Sequence, residues 1–275
     1  MKTILVPTDF SLVSRNSIDY ASEIAKLSHA KIILFHAYLI PLVNAEVPVP
    51  MLSLDEMEKL AIKELEKIKT NISAKYGKEI DIECKCQCGF AVDEINLFAK
   101  ENKVDLIVMG MHGSGYLFEK LIGSTTTALM NKSTCPVLAI HQNVKFKSIK
   151  KIALASDYKE LHSQSVLNPL KQWLNLFKAH LFVFNVVPEL GMVHTIDTVS
   201  EKIKLKDTFH NVEHSFHKTE NTELIEGIND FIAQQKIDML VMIPRQHSWF
   251  GSLFHASSTK KMAFHAHIPL LVLHE

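Results

Sequence analysis

The feature that most constrains this chain is an internal repeat of short apolar runs, each of strand length. The runs occur in four pairs, and the last two pairs share one offset: KTILVPTDF (2–10) with KIALASDY (151–158), KIILFHAY (31–38) with HLFVFNVV (180–187), KVDLIVMG (103–110) with KIDMLVMI (236–243), and CPVLAIHQ (135–142) with IPLLVLHE (268–275). Self-similarity over nearly the whole length predicts two copies of one structural unit.

Within the first copy, the apolar runs alternate with segments whose apolar residues recur at helical spacing. Ser11 is a good helix N-cap, and Ser53 with Glu56 forms a capping box before a long charged helix. Five strands alternating with four helices are typical of a doubly wound parallel sheet. We therefore predict an α/β fold of two tandem, Rossmann-like, five-stranded parallel-sheet domains, at 1–143 and 148–275.

The composition argues against two classes of partner. Thirty Lys and Arg residues balance 30 Asp and Glu residues, so the formal net charge of zero gives no reason to expect nucleic acid or an anionic membrane. No apolar run approaches the roughly 18 residues of a membrane span, and the apolar start MKTILVP is too short for a signal-peptide core. We expect a cytoplasmic protein with no membrane or nucleic-acid partner.

The stretch 104–127 carries the clearest functional signal. A buried-type strand stops at Gly110, further glycines follow at Gly113 and Gly123, and hydroxyl residues from Ser124 onward open a helix. Glycine lets backbone amides approach an anion and adopt positive φ, and a helix start offers N–H donors and a positive dipole end. A Walker-type loop and the GxGxxG fingerprint are both absent. The arrangement suits a polyphosphate at the carboxyl end of a parallel sheet.

The spacing G-x2-G-x9-G-[ST] in this stretch resembles the ATP-binding members of the universal stress protein family. The resemblance covers essentially the whole chain, with strong motifs in the first copy and weak ones in the second. It implies a fold like that of the adenine nucleotide alpha hydrolases, with ATP, which can carry Mg²⁺, bound by the first copy. The residues at the matching binding positions are Pro7, Thr8, Asp9, Ala37, Met109, Gly110, His112, Gly113, Gly123, Ser124, Thr125 and Thr126.

The resemblance assigns the end of the first strand to the sugar and base, Ala37 to the adenine side, and the glycine stretch to the phosphates. Other interpretations stay open for three residues. Asp9 fits an ordinary acid at a helix start, Ala37 fits plain core packing, and His112 fits either a phosphate contact or a solvent-facing loop position.

The second copy departs from the pattern. Ile243 replaces the first glycine, Gln246 the second and Ala256 the third, although the hydroxyl residues Ser257 to Thr259 remain. Asp157 corresponds to Asp9. We expect the second copy to have lost nucleotide binding and to serve as a structural or regulatory partner.

The sequence contains two clusters of metal-ligating residue types. Cys84, Cys86 and Cys88 alternate along one strand about 6.6–7 Å apart, too far for easy convergence on one Zn²⁺, so core packing is the better interpretation. The histidines 210, 214 and 217 have helical metal spacing, but the repeat places a helix-to-strand junction there, which would scatter them. We therefore predict no metal site.

These observations leave several functions open. The leading one is an ATP-binding regulatory protein whose nucleotide biases its shape or its choice of an unidentified protein partner. A slow ATPase, or an enzyme that phosphorylates itself at Ser124 or Thr125, is an alternative, although no Walker lysine or acidic metal cluster is present. A structural oligomer with a vestigial site is a third, and a flavoprotein or PP-loop synthetase of related fold is a fourth. The absence of an SGGxDS string counts against a PP-loop enzyme.

The terminal strands predict how the copies meet. Pro136–Ile140 and Pro269–His274 are apolar, and exposed apolar edges tend to pair. In the family such strands meet across a dimer. We expect them to pair within this chain as a pseudo-dimer, and further pairing of whole chains into a homodimer stays open.

Overall fold

A computed structural model of the chain describes residues 1–40, 53–111, 123–158, 161, 163–187, 196–244 and 268–275. For residues 196–199 it describes the backbone alone. Several of the predictions above, those on His112, Gly113, Gln246, Ala256 and the hydroxyl run 257–259, lie outside the described residues.

The first half of the molecule, β1 to β5, alternates strands with helices as the apolar pattern predicts. In chain order its elements are β1 (Thr3–Pro7), α1 (Leu12–Ser28), β2 (Lys31–Tyr38), α2 (Leu54–Tyr76), β3 (Ile82–Cys88), α3 (Ala91–Glu101), β4 (Leu106–Met111), α4 (Ser124–Lys132) and β5 (Val137–His141).

The second half, β6 to β10, repeats this order. Its elements are β6 (Lys151–Ala155), a short 3₁₀ turn (Gln164–Leu167), α5 (Asn168–Phe177), β7 (His180–Val187), α6 (Ile196–Thr208), β8 (His214–Glu220), α7 (Leu224–Gln235), β9 (Met239–Met242) and β10 (Leu270–Val272).

The helix starts follow local sequence chemistry. Ser11 accepts a hydrogen bond from the Ser14 N–H, which caps α1. The predicted capping box forms at the start of α2: Ser53 Oγ accepts the Glu56 N–H, and the Glu56 carboxylate accepts the Ser53 N–H.

The described strands form one continuous sheet in the order β3-β2-β1-β4-β5-β10-β9-β6-β7-β8. Within each half the neighbouring strands are parallel. The halves join through β5 and β10, which are antiparallel with Leu138 opposite Leu271. The predicted doubly wound fold and the predicted pairing of the terminal strands are both confirmed.

The joined sheet carries a core on each face. Leu138 and Leu271 belong to one core, and Val137 and Val272 belong to the other. All four side chains are fully buried. The two halves therefore share both cores, because alternate residues of the central strands point to opposite faces.

The aspartate that precedes β4, and its counterpart before β9, have a structural role. Asp105 Oδ2 accepts the backbone N–H groups of Lys2 and Thr3, at 2.6 and 2.9 Å. Asp238 Oδ2 accepts those of Lys150 and Lys151 in the second half, at 2.9 and 3.0 Å. The Asp105 carboxylate thus fixes the start of β1, and the Asp238 carboxylate fixes the start of β6.

Among the described residues, no helix has the length and apolar character that a bilayer span requires.

Candidate functional site

The candidate site is a cavity of about 280 Å³ at the carboxyl ends of β1 and β4. These strands are neighbours, yet the chain leaves β1 for β2 on one side and leaves β4 for β5 on the other. That change of direction makes the edge between them a topological switch point, where open α/β sheets bind ligands.

The cavity collects most of the residues that the family resemblance singled out. Ten line its wall: Pro7, Thr8, Asp9, Ala37, Met109, Gly110, Gly123, Ser124, Thr125 and Thr126. The other two, His112 and Gly113, lie outside the described residues.

The end of β1 is held rigidly by a hydrogen-bond network around Thr8, a buried residue. Thr8 Oγ1 lies 2.9 Å from Ser14 Oγ and also accepts the Phe10 N–H at 3.0 Å. The Thr8 carbonyl accepts a hydrogen bond from His36 Nδ1 at 2.8 Å, so that ring nitrogen carries the hydrogen. Phe10 has a left-handed φ of 66° and its ring lies 4.5 Å from that of His36. A non-glycine residue in this conformation is uncommon and costs free energy that the network must supply.

Asp9 follows Thr8 in the chain and presents an ionised carboxylate to the cavity. Burial tends to raise the pKa of Asp9, but hydrogen bonds from the side chain and backbone of Ser11 outweigh that effect and lower the pKa below its ordinary value. One of these bonds joins the Ser11 N–H to Asp9 Oδ1 at 3.0 Å. The carboxylate is therefore an acceptor for hydroxyl or amine donors at neutral pH.

The opposite wall is the start of α4. Gly123 is its N-cap and has no side chain, and no side-chain cap bond forms there among the described residues. The N–H groups of Ser124, Thr125 and Thr126 belong to the first turn, where an α-helix offers no internal acceptor. Thr126 Oγ1 donates to the Gly110 carbonyl at 3.0 Å and so ties this turn to β4. Because these N–H groups have no acceptor within the helix and lie at its positive dipole end, the first turn fits an anionic group.

The sequence suggested that glycines at positions 110 and 123 permit positive φ, and the structure corrects this. Neither Gly110 nor Gly123 has positive φ; Gly123 has φ −54° and ψ 142°. A Cβ on Gly110 would lie 2.8 Å from the Val13 carbonyl oxygen, so this glycine allows α1 to pack closely on β4. Among the described residues, a Cβ on Gly123 would meet only Thr126 Oγ1, at 3.9 Å. The space beside Gly123 is therefore open to the cavity, which is what a ligand would need.

Sequence reasoning missed seven residues that also line the cavity: Ser11, Val13, Ser14, Phe35, His36, Ala91 and Ile95. His36 left a visible signal, because it is the one polar side chain between Ile32 and Ala37 in an otherwise apolar strand. Phe35 lies beside His36 on β2, and the others come from α1, its N-cap and α3, whose approach to the strand ends depends on tertiary packing.

The second half keeps part of this design. Strand register makes Pro7 equivalent to Ala155 and Phe35 equivalent to Phe184. Asn185 then corresponds to His36, and its Nδ2 donates to the Ser156 carbonyl at 2.6 Å, as His36 does to Thr8. The bond that supports the end of the first strand is thus preserved with a different side chain.

The counterpart of the space beside Ala37 is filled in the second half. Val186 corresponds to Ala37 and is only 4% exposed, and a Cβ on Gly227 would lie 2.6 Å from Val186 Cγ1. Ile243, which corresponds to Gly110, is buried in the core as well. Larger side chains therefore occupy two places that the first half leaves small.

The cysteines of β3 divide by exposure. Cys84 and Cys86 are half-buried and pack against the core, while Cys88 is exposed, so core packing does not explain the third thiol. Burial raises the pKa of Cys84 to about 12, which keeps that thiol protonated. Within the part of the chain that the structure describes, no group of three or more His, Cys, Asp or Glu side chains could hold a metal ion.

The three histidines with helical metal spacing, 210, 214 and 217, lie at the predicted helix-to-strand junction. His210 follows the end of α6, whereas His214 and His217 lie on β8. His217 Nε2 and His180 Nε2 contact Ser215 Oγ at 2.8 and 2.9 Å. These rings are thus members of a hydrogen-bond network on the sheet.

Comparisons with known proteins agree with this architecture. A profile of the Universal stress protein family matches residues 1–141 and again residues 150–274. The chain is 33% identical over 143 residues to universal stress protein YxiE of Bacillus subtilis, a match that covers 50% of this chain and 97% of that protein. It is 32% identical over 149 residues to universal stress protein MJ0531 of Methanocaldococcus jannaschii, covering 52% and 84%.

A solved structure extends the likeness to the whole fold. The crystal structure of a universal stress protein from Archaeoglobus fulgidus matches with a TM-score of 0.73 at 16% identity, covering 98% of this chain and 97% of that one. At that identity the match concerns the fold alone.

Proposed function

This chain belongs to the universal stress protein family, and on that premise we propose that it is a nucleotide-responsive regulatory protein that holds ATP in its first half. The observation that carries the proposal is the convergence of β1, β2, β4 and the start of α4 on one cavity. Convergent polar groups at a switch point are the usual form of a nucleotide site in α/β proteins.

The phosphates would lie at the start of α4. Its first-turn N–H groups and the hydroxyls of Ser124 and Thr125 would donate to phosphate oxygens, and the open space beside Gly123 would admit them. Among the described lining residues there is no lysine or arginine, and Asp9 is the one carboxylate. The charge of the triphosphate would therefore be offset by the helix dipole, by amides and by the Mg²⁺ that ATP can carry.

The sugar and base would lie on the other side of the cavity. The ionised Asp9 carboxylate can accept hydrogen bonds from ribose hydroxyls, and the small side chain of Ala37 leaves space beside β2. His36 is fixed by its bond to the Thr8 carbonyl, so this wall is preorganised.

Enzyme activity is the alternative that one observation favours. Ser124 and Thr125 line the same cavity as the proposed triphosphate, so their hydroxyls are the candidate acceptors of the γ-phosphoryl group, with ADP as the leaving group. Turnover of ATP by the purified protein with and without Mg²⁺, together with mass spectrometry of the peptide 124–132, separates a regulator from a slow ATPase or a self-phosphorylating enzyme.

Calorimetric titration with ATP, ADP, AMP, adenosine and GTP tests the binding proposal. We expect affinity to rise with the number of phosphates, because the helix start recognises the anion. Binding of adenosine as tight as that of ATP would contradict the phosphate role of α4. No binding of any of these nucleotides by the folded protein would overturn the proposal.

Two threonines of one helix provide a matched control. Thr125 lines the cavity and Thr127 does not. The change Thr125→Val should weaken ATP binding at least fivefold through the lost hydroxyl, whereas Thr127→Val should leave it within twofold. Equal effects of the two changes would mean that the cavity is not the site.

A further inference from the structure

The far end of the phosphate-facing helix is in contact with the second half of the chain. His274 follows β10, and its Nε2 lies 2.8 Å from the carbonyl oxygen of Met130 in the last turn of α4. A carbonyl can only accept, so His274 Nε2 carries the hydrogen and donates it. Residues 130 and 274 are far apart in sequence, and only the joining of β5 to β10 brings them together.

This bond satisfies a group that the helix itself cannot. The last four carbonyls of an α-helix have no internal N–H donor, and Met130 is fully buried. The neighbouring Leu129 carbonyl is satisfied locally, because it accepts the Ser133 N–H at 2.9 Å. For Met130 the donor comes from the other half of the molecule. Its loss would leave a buried acceptor unpaired, which the helix can relieve only by shifting or unwinding.

A shift at this end reaches the cavity because α4 is short. It has nine residues, so about 13 Å separate its ends at 1.5 Å per residue. At its start, Thr126 Oγ1 is bonded to the Gly110 carbonyl, and Ser124 and Thr125 line the cavity. A helix of two and a half turns moves as a unit, so the bond at Met130 sets the position of the first-turn donors.

We propose that the second half acts on the nucleotide site through His274, a positioning residue that holds α4 so that its first turn meets the phosphates. This inference rests on the proposed function, because it concerns the same cavity. It gives the second half a defined role even though larger side chains occupy its own counterpart of the site. Pairing of the halves and binding of the triphosphate are then coupled through one helix.

Three variants of the full chain test the proposal. His274→Phe keeps a ring of similar size without a donor, and His274→Gln keeps a donor at the position of Nε2. His214→Leu is the matched control: His214 is another half-buried histidine of the second half, and its Nδ1 contacts the backbone carbonyl of Val212, which is not part of α4. For each variant, affinity for ATP and for adenosine is measured by calorimetry.

We expect His274→Phe to weaken ATP binding at least fivefold while adenosine binding stays within twofold, because adenosine does not depend on the start of α4. His274→Gln and His214→Leu should bind ATP within twofold of the parent. Equal ATP affinity in the parent and His274→Phe overturns the proposal, and so does an equal loss for ATP and adenosine, which would indicate a general structural defect.

Hydrogen exchange of the α4 amides separates this inference from the proposed function. In the protein without nucleotide, His274→Phe should exchange residues 127–132 at least tenfold faster than the parent, and His274→Gln should restore slow exchange. If the parent binds no nucleotide, the proposed function fails and the role of His274 at the nucleotide site fails with it, whatever exchange shows. Unchanged exchange in a folded His274→Phe variant refutes the role of the bond between His274 and the Met130 carbonyl. If His274→Phe does not fold, His274→Leu takes its place in the same measurements.

Discussion

Replacing Gly123 with valine should separate ligand binding from folding. Its backbone, with φ −54° and ψ 142°, is accessible to every residue type. Of the described residues, only Thr126 Oγ1 would lie within 4 Å of a Cβ, at 3.9 Å, and because Gly123 lines the cavity we expect the two further methyl groups to extend into it. The change therefore fills space that is open without ligand.

The cost to folding should be small. Valine is a poorer N-cap than glycine, which costs up to about 1 kcal/mol, but it also restricts the unfolded chain, which returns about 0.4–1 kcal/mol. The free energy of unfolding should thus change by less than about 1 kcal/mol, or about 2–4 °C in melting temperature for a chain of this size.

The cost to binding should be large. If the added methyl groups keep the phosphates from two first-turn amides, two charge-assisted hydrogen bonds of about 1.5 kcal/mol each are lost. A loss of about 3 kcal/mol corresponds to about 100-fold in the dissociation constant.

Calorimetry with ATP and thermal melting of the same preparation measure both quantities. Gly123→Ala serves as a graded control and should lose less affinity than the valine variant. An ATP affinity within threefold of the parent, in a valine variant that melts normally, would refute the phosphate role of the α4 start.

Four other predictions follow from particular contacts. Titration with a slowly hydrolysed ATP analogue should give one site per chain, because Val186 and Ile243 fill the second half's counterpart; two sites would contradict this. Gly110→Ala should lower the free energy of unfolding by about 1–3 kcal/mol through its clash with the Val13 carbonyl, measured by urea unfolding. Leu138→Asp and Leu271→Asp should each destabilise the chain by more than about 3 kcal/mol, because both side chains are fully buried where the halves meet; variants that melt like the parent would contradict the pairing. Burial lowers the pKa of His274 below 6.5, so its contribution to stability is full above about pH 6.5 and falls as the pH drops through the lower folded value. The melting temperature of the parent should therefore fall more between pH 7.5 and 5.5 than that of His274→Gln. The other titratable groups beside the ring are Cys135 and Glu275. Burial raises the pKa of Cys135 to about 12, so its thiol stays protonated over this pH range.

Much of the fold could be predicted because its signals are local. Strand and helix types follow from apolar periodicity, and helix starts follow from side chains within three residues of each other, as with Ser53 and Glu56. The repeat adds a long-range statement, since two copies of one pattern predict two copies of one unit. The end of β1, the end of β4 and the start of α4 could be assigned to one edge because parallel strands of this topology end together.

The motif pattern also named ten residues that the structure brings to one cavity, but it could not supply the physical reason for each. Gly110 is small because α1 approaches β4 there, which depends on the packing of a helix far away in sequence. His36 stands out as a polar residue in an apolar strand, but its role could not be predicted because its bond to the Thr8 carbonyl crosses between two strands.

The sequence by itself determined the two units, their elements, the helix caps and the edge of the sheet at which polar groups collect, since each of these follows from interactions between residues near in the chain or from the repeat. Only the tertiary structure decided which donor satisfies Met130 and which space is filled by Val186. Those outcomes depend on the register of β5 against β10 and on the distance between packed layers. A shift of one residue in that register would turn every side chain of β10 to the opposite face, and His274 would no longer meet α4.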